Sequence, residues 1–228
     1  GGPDGIMPFM LKNSNGALNE TLKQLYNQSF NTGEIPQEWF NSDIIPIPKT
    51  ENNNIEIPDH RPISLTPTKS KIMEKIISNR LTTVIEERKI LPDFQKGFRK
   101  GKSTIDNLIF LQNKIHETFQ NKEIMIACFL DIQKAYDSVD RKKLYSIIED
   151  LGIKGKILKW LKKFLLTTRQ CNVIYKNTKS KTFKFENGVP QGSPLSPLLF
   201  NIYIAFIEKH KNKQISQWKK YVSLSYFD

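Results

Sequence analysis

Three short stretches of this chain carry residue types that could do chemistry. The first runs through Phe129, Leu130 and Asp131 and continues as Ala135-Tyr136-Asp137-Ser138-Val139. It closes an apolar run from Glu123 to Leu130, which reads as a buried strand. A carboxylate at the end of such a strand stands where the sheet opens, a natural place for a hard cation. The second is Gly188-Val189-Pro190-Gln191-Gly192-Ser193-Pro194-Leu195-Ser196-Pro197. Its glycines permit close backbone approach, Gln191 offers both a donor and an acceptor, and Pro194 can start a helix. The third, Ser225-Tyr226-Phe227-Asp228, puts another acid at the end of a strand. Each has an ordinary structural explanation when taken singly: a turn or helix cap for an Asp, a loop-to-helix turn for the glycines, a core aromatic for Tyr136.

The elements that must position these residues follow from periodicity. Leu18, Leu22, Leu25 and Tyr26 fall at helical spacing, with Gly33 as a stop. Ile72, Met73, Ile76, Ile77, Leu81, Val84 and Ile85 predict a stronger amphipathic helix. Another starts at Ser103, where Asp106 completes a capping box, and continues through Leu108, Ile109 and Ile115. These stripes are expected to be core. Thr50 to Asp59 reads as a polar loop. Helical spacing returns at Leu144, Ile147 and Ile148, with Asp140 as cap, and again at Ile157, Leu158, Leu161 and Leu165, with Gly152 between the two. Cys171–Tyr175 and Thr182–Phe185 predict a hairpin, 194–207 a helix and Val222–Phe227 a last strand. The mixture indicates an α+β fold with a change of pattern near residue 121.

Composition narrows the partners. Across 228 residues, 35 Lys and Arg oppose 23 acids, for a net charge of +12. That balance favours a polyanion, either nucleic acid or an anionic membrane surface. Mean hydropathy is −0.47, and no apolar run approaches the roughly 20 residues of a membrane span. Cys128 and Cys171 lie far apart in apolar stretches and read as buried thiols in a reducing, intracellular compartment. His60, His116 and His210 are scattered, without zinc-ligand spacing. The start, Gly1-Gly2-Pro3-Asp4-Gly5, shows no secretory signal and reads as the interior of a longer protein.

Together and in this order, the three stretches resemble the reverse transcriptases of non-LTR (LINE-type) retrotransposons. So do Gly2-Pro3-Asp4-Gly5-Ile6, Ile47-Pro48-Lys49, Arg61-Pro62-Ile63-Ser64-Leu65, and the run from Gln95 to Thr104. The resemblance implies a right-hand polymerase, with fingers at 1–120 and a palm at 121–228 built as an antiparallel sheet packed on helices. On this reading the chain lacks a thumb and ends inside the [YF]-x-D-D turn. It implies RNA-directed DNA synthesis from an RNA template, a DNA primer and dNTPs. Two Mg²⁺ ions, or Mn²⁺ in their place, would sit about 4 Å apart and be held by Asp131 and Asp228. It also makes Tyr136 the steric gate against ribonucleotides, and sets Lys49 and Arg61 on the incoming triphosphate. Gln191 and Gly192 would line the nucleotide and template floor, and Arg99 would meet template phosphate. Asp137 and Asp140 read as structural. Because the family's next acid would be residue 229, the 228-residue span by itself is expected to be inactive. The alternatives are a non-catalytic nucleic-acid-binding relic and, among polymerases, a group II intron or retron enzyme.

Overall fold

The computed structural model describes residues 1–49, 60–127, 129 and 131–214, with side chains as far as Ile207. Helix α1 (Pro8–Lys12) is one short turn. Helix α2 (Gly16–Thr32) begins where the Asn15 side chain accepts from the Leu18 N–H, and ends at Gly33, as its leucine spacing predicts. A short 3-10 helix, Gln37–Phe40, then buries Trp39 and Phe40.

Strand β1 (Asn41–Pro48) pairs antiparallel with β2 (His60–Leu65), from Pro48↔His60 to Asp43↔Leu65. Two residues later the chain turns into α3 (Thr68–Glu87). No side chain at the preceding Pro67 caps this helix. Instead Asp4 reaches across and accepts from the Thr68 N–H at 3.0 Å, so the N-terminal segment satisfies an orphan donor of α3. Helix α4 (Thr104–Gln120) carries the expected capping box, with the Ser103 N–H donating to Asp106 Oδ2 at 2.6 Å.

Helices α5 (Arg141–Asp150) and α6 (Gly155–Leu166) flank Gly152. Strand β3 (Arg169–Tyr175) follows, then β4 (Thr178–Lys179), β5 (Phe183–Phe185) and α7 (Ser196–Gln214). The hairpin expected at 171–185 is present, since β3 pairs antiparallel with both β4 and β5. The α+β class holds, but the sheet is mixed rather than antiparallel. Its order is β2-β1-β3-β4, and β1 runs parallel to β3 from Asn41↔Gln170 to Ile44↔Val173. A parallel pair requires a long crossover, which the segment holding α3 to α6 supplies.

One apolar cluster binds these elements. Trp39, Met73, Ile77, Leu81 and Ile85 pack into the same core as Leu144, Ile147, Ile148, Trp160, Leu161, Leu199 and Phe200. Trp160 stacks on Phe164 at 5.2 Å, and its ring N–H donates to Ser29 Oγ at 3.1 Å, tying α6 to α2. Core and sheet therefore both draw on residues from either side of residue 121.

Two expected core segments are exposed. On α4, Leu108, Ile109 and Ile115 face solvent, as do Ile105 and Phe119, the last at 72%. Residues 123–127 are irregular rather than a strand, with Ile124 93% and Ile126 90% exposed. An apolar stripe is buried only if another element faces it, and a strand forms only if an edge pairs with it. Among the described residues neither partner is present. Cys128 and the strand expected at Val222–Phe227 lie outside the described residues; Cys171 is buried and free.

Asp140 caps α5 as expected, accepting from the Lys142 and Lys143 N–H groups at 2.9 and 3.0 Å. Asp140→Ala should lower stability by about 1 kcal/mol and Asp140→Asn by much less. Urea unfolding, with an unchanged slope for both variants, checks this.

Candidate nucleotide and template site

The loop from Gly188 to Ser193 is the junction of the molecule. At its start the Gly188 N–H donates to the Val139 carbonyl at 3.0 Å and the Val189 N–H to the Tyr136 carbonyl at 2.9 Å. A Cβ on Gly188 would come within 2.6 Å of both Asp137 Cα and the Tyr136 oxygen, so only glycine permits this approach. Further on, the Gln191 carbonyl accepts from the Ser64 N–H at 2.7 Å. Gly192, at φ 127°, leans so closely on β2 that a Cβ would meet the Ser64 oxygen at 2.5 Å. One loop thus joins the turn carrying Tyr136 to the strand carrying Arg61.

Arg141 braces this loop from below. Its guanidinium is almost fully buried and donates to the carbonyls of Gly188, Phe185 and Asn187, at 2.5, 3.2 and 3.0 Å. Burial, and then the neighbouring Arg169, push its pKa down to about 10. Arg169 is buried as well, with its guanidinium over the Phe164 ring at 4.5 Å, and burial pushes its pKa down too. On the other side, Glu74 of α3 is fully buried; its carboxylate accepts from Ser70 Oγ at 2.7 Å and from Ser193 Oγ. Gln95 and Asn201 complete the frame. Gln95 Nε2 donates to Asn201 Oδ1 at 2.9 Å, and Asn201 Nδ2 donates to the Gly97 carbonyl at 2.8 Å, docking the 92–99 loop onto α7.

The residues singled out from the sequence lie as follows. Tyr136 is half-buried in the turn, its ring stacked on Phe200 at 5.3 Å, and burial raises its phenol pKa. Gln191 and Gly192 form the middle of the junction loop. Arg61 is exposed on β2, opposite Ile47 and three residues before Ser64, about 10 Å along the strand from the Gln191 contact. Lys49 is exposed one residue beyond β1, where Pro48 faces His60, so it and Arg61 share one end of the β1–β2 pair. Asp131 is exposed in irregular chain, five residues before Tyr136. Asp228 lies outside the described residues. Asp137 is half-buried, and burial raises its pKa against the opposing pull of Lys134.

Arg99 has another occupation. Its side chain is 8% exposed and is held by Glu86 through a two-pronged contact, Nε to Oε1 at 2.9 Å and Nη2 to Oε2 at 2.6 Å. Its remaining prong donates to the Pro92 and Gln95 carbonyls, both at 3.0 Å. This geometry fastens a loop to the end of α3 and leaves little for a phosphate. The reading from sequence also passed over Glu74 and Arg141. The signal for Glu74 was an acid on the same helical stripe as Met73, Ile77 and Leu81.

Residues 47–228 match the family described as reverse transcriptase (RNA-dependent DNA polymerase). The chain belongs to that family. Over 89% of its length it is 35% identical to a probable RNA-directed DNA polymerase from transposon BS of Drosophila melanogaster, covering 24% of that protein. It is 34% identical, over 83% of its length, to the RNA-directed DNA polymerase from mobile element jockey of the same species, covering 20% of it. A Pol polyprotein from the type-1 retrotransposable element R2 of Nasonia vitripennis is 29% identical over 88% of the chain, which covers 18% of it. The chain therefore spans about a quarter or less of the curated relatives it matches. The relatives are proteins of mobile elements, in keeping with the LINE-type resemblance of its motifs.

The placement of Arg99 generates a test. Arg99→Gln should cost about 1.5–3 kcal/mol of stability, the range for hydrogen bonds to a charged group. Glu86→Gln, which removes the charge at the other end of the same contact, should give a comparable loss. Thermal unfolding of the two variants checks the pair of outcomes.

Proposed function

We propose that this chain is the fingers and palm portion of a LINE-type RNA-directed DNA polymerase, with the 188–193 junction forming the floor on which the incoming dNTP and template base lie. The observation that carries the reading is the convergence of two segments, the strand bearing Arg61 and the turn bearing Tyr136, on the loop that holds Gln191 and Gly192. In this reading residues 1–120 supply the fingers and 121–228 the palm. The exposed cations at the open end of the β1–β2 pair, Lys49 and Arg61, engage the triphosphate. Tyr136, its ring held against Phe200, occupies the space a ribose 2′-hydroxyl would need. Gly192, lacking a Cβ, lets the loop lie against β2, and the Gln191–Gly192 backbone so placed receives the nucleotide.

Among the described residues no group of three or more His, Cys, Asp or Glu side chains is placed to hold a metal ion. Asp131 has the right donor chemistry, a hard carboxylate oxygen open to solvent, and with Asp228 it would hold Mg²⁺. Bound in pairs, such ions activate a primer 3′-hydroxyl and stabilise the leaving pyrophosphate. The net charge of +12 suits an RNA template and DNA primer, and the setting proposed is intracellular.

In the full-length polymerase containing these residues, Asp131→Asn should abolish primer extension on poly(rA)/oligo(dT). Duplex affinity should stay within about threefold, because phosphate contacts dominate affinity. Extension at the parental rate would remove Asp131 from the metal site. In the same protein, Tyr136→Ala should raise ribonucleotide incorporation relative to deoxyribonucleotide by about tenfold or more, since the 2′-hydroxyl is the only distinction between them. Single-nucleotide extension with matched rNTP and dNTP measures it, and unchanged discrimination would leave Tyr136 as a packing residue.

A further inference from the structure

We infer that Glu74 is a positioning residue for the nucleotide floor: through Ser193, its buried carboxylate holds Gln191 and Gly192 against β2. The inference rests on the polymerase reading of that floor. Glu74 is 0% exposed on a helix whose buried face holds Met73, Ile77, Leu81 and Ile85 beside the small polar Ser70 and Ser78. An ionisable group in such a place is costly unless its oxygens are satisfied, and a leucine would serve packing as well. Both oxygens are used: Ser70 Oγ donates to Oε1 at 2.7 Å, and Ser193 Oγ donates to Oε2. The buried guanidinium of Arg169 lies within electrostatic reach and offsets the charge.

Ser193 is a relay rather than an end point. Its Oγ accepts from the Leu195 N–H at 3.1 Å, and its N–H donates to the Pro190 carbonyl at 3.2 Å, closing a tight turn around Gln191 and Gly192. On the other side of that turn, Ser64 N–H holds the Gln191 carbonyl at 2.7 Å. The turn is therefore gripped from β2 and from α3. These two elements are joined by Thr66 and Pro67 alone, both buried, so they form a short bracket. Releasing the α3 arm leaves Gln191 and Gly192 held on one side. A floor that is free to lift should bind the incoming nucleotide less well, while the reacting groups at Asp131 are untouched.

The test is steady-state kinetics in the full-length polymerase, with Glu74→Gln, Ser193→Ala and the double variant, alongside amide exchange by NMR on the 228-residue chain. Each single change should raise KM for dNTP by about tenfold, as expected for losing a charged hydrogen bond, with kcat within about threefold. The double variant should be no worse than the poorer single, because both changes break one contact. Glu74→Asp, which keeps the carboxylate, should recover part of the loss. In the exchange experiment the Ser64, Val189 and Leu195 amides should become faster in both single variants, while the amides of α5 and α6 stay protected. Additive effects in the cycle, a fall in kcat with KM unchanged, or unaltered exchange at Ser64 and Leu195 would each overturn the inference. If the parent polymerase incorporates no nucleotide, the polymerase reading fails. The exchange data then decide by themselves whether Glu74 holds the loop.

Discussion

At Gly188 and again at Gly192 the main chain passes other main chain at a distance that excludes even a methyl group, 2.6 Å from Asp137 Cα and 2.5 Å from the Ser64 oxygen for an added Cβ. Backbone contact of this kind cannot be adjusted by changing rotamers, so everything around it must hold still. Arg141 and Glu74 take up the junction loop's polar groups with buried partners, while the buried Gln95–Asn201 pair fastens the 92–99 loop to α7. Behind them Leu144, Trp160 and Phe200 provide the packed wall. The apolar cluster keeps the elements together, and the polar contacts decide where within it the loop rests.

Much of this was legible in the residues, for reasons that separate local from distant physics. Helices α2, α3, α5 and α6 follow from leucine and isoleucine spacing, and their ends from Gly33, Asp140 and Gly152, because period and capping are local properties. The same periodicity misled at α4, whose stripe of Leu108 and Ile109 is as regular as that of α3 but faces water. Period shows that a helix has an apolar side and is silent on what covers it. The parallel pairing of β1 with β3 was invisible for the related reason that no local pattern records it.

Charged residues were the harder class. Arg99 and Glu74 look alike in a list of basic and acidic side chains, yet one is spent on Glu86 and two carbonyls and the other on two serines. Only coordinates distinguish a solvated charge from one that fastens a loop. Glu74 did carry a sign, since an acid on a helix's apolar face must either be satisfied or be expelled. Tyr136, Gln191 and Gly192 were recognisable by their motifs. The meeting of Gln191 and Gly192 with β2 could not be read there, because it depends on a hydrogen bond between Ser64 and Gln191, which lie far apart along the chain.

The pairing of β1 with β3 also sets a schedule for the ribosome. When Asn41 to Ile44 leave the exit tunnel, β2 can pair with one edge of β1 soon afterwards, but the strand for the other edge has not been made. About 130 further residues must be synthesised first, which at typical elongation rates takes roughly 7–26 s. Throughout that interval the nascent chain presents a bare strand edge bearing Ile44, a waiting template for any other extended peptide nearby. The order of elements that places β3 in the middle of the finished sheet therefore leaves one edge of β1 unpaired until the chain has grown past Val173.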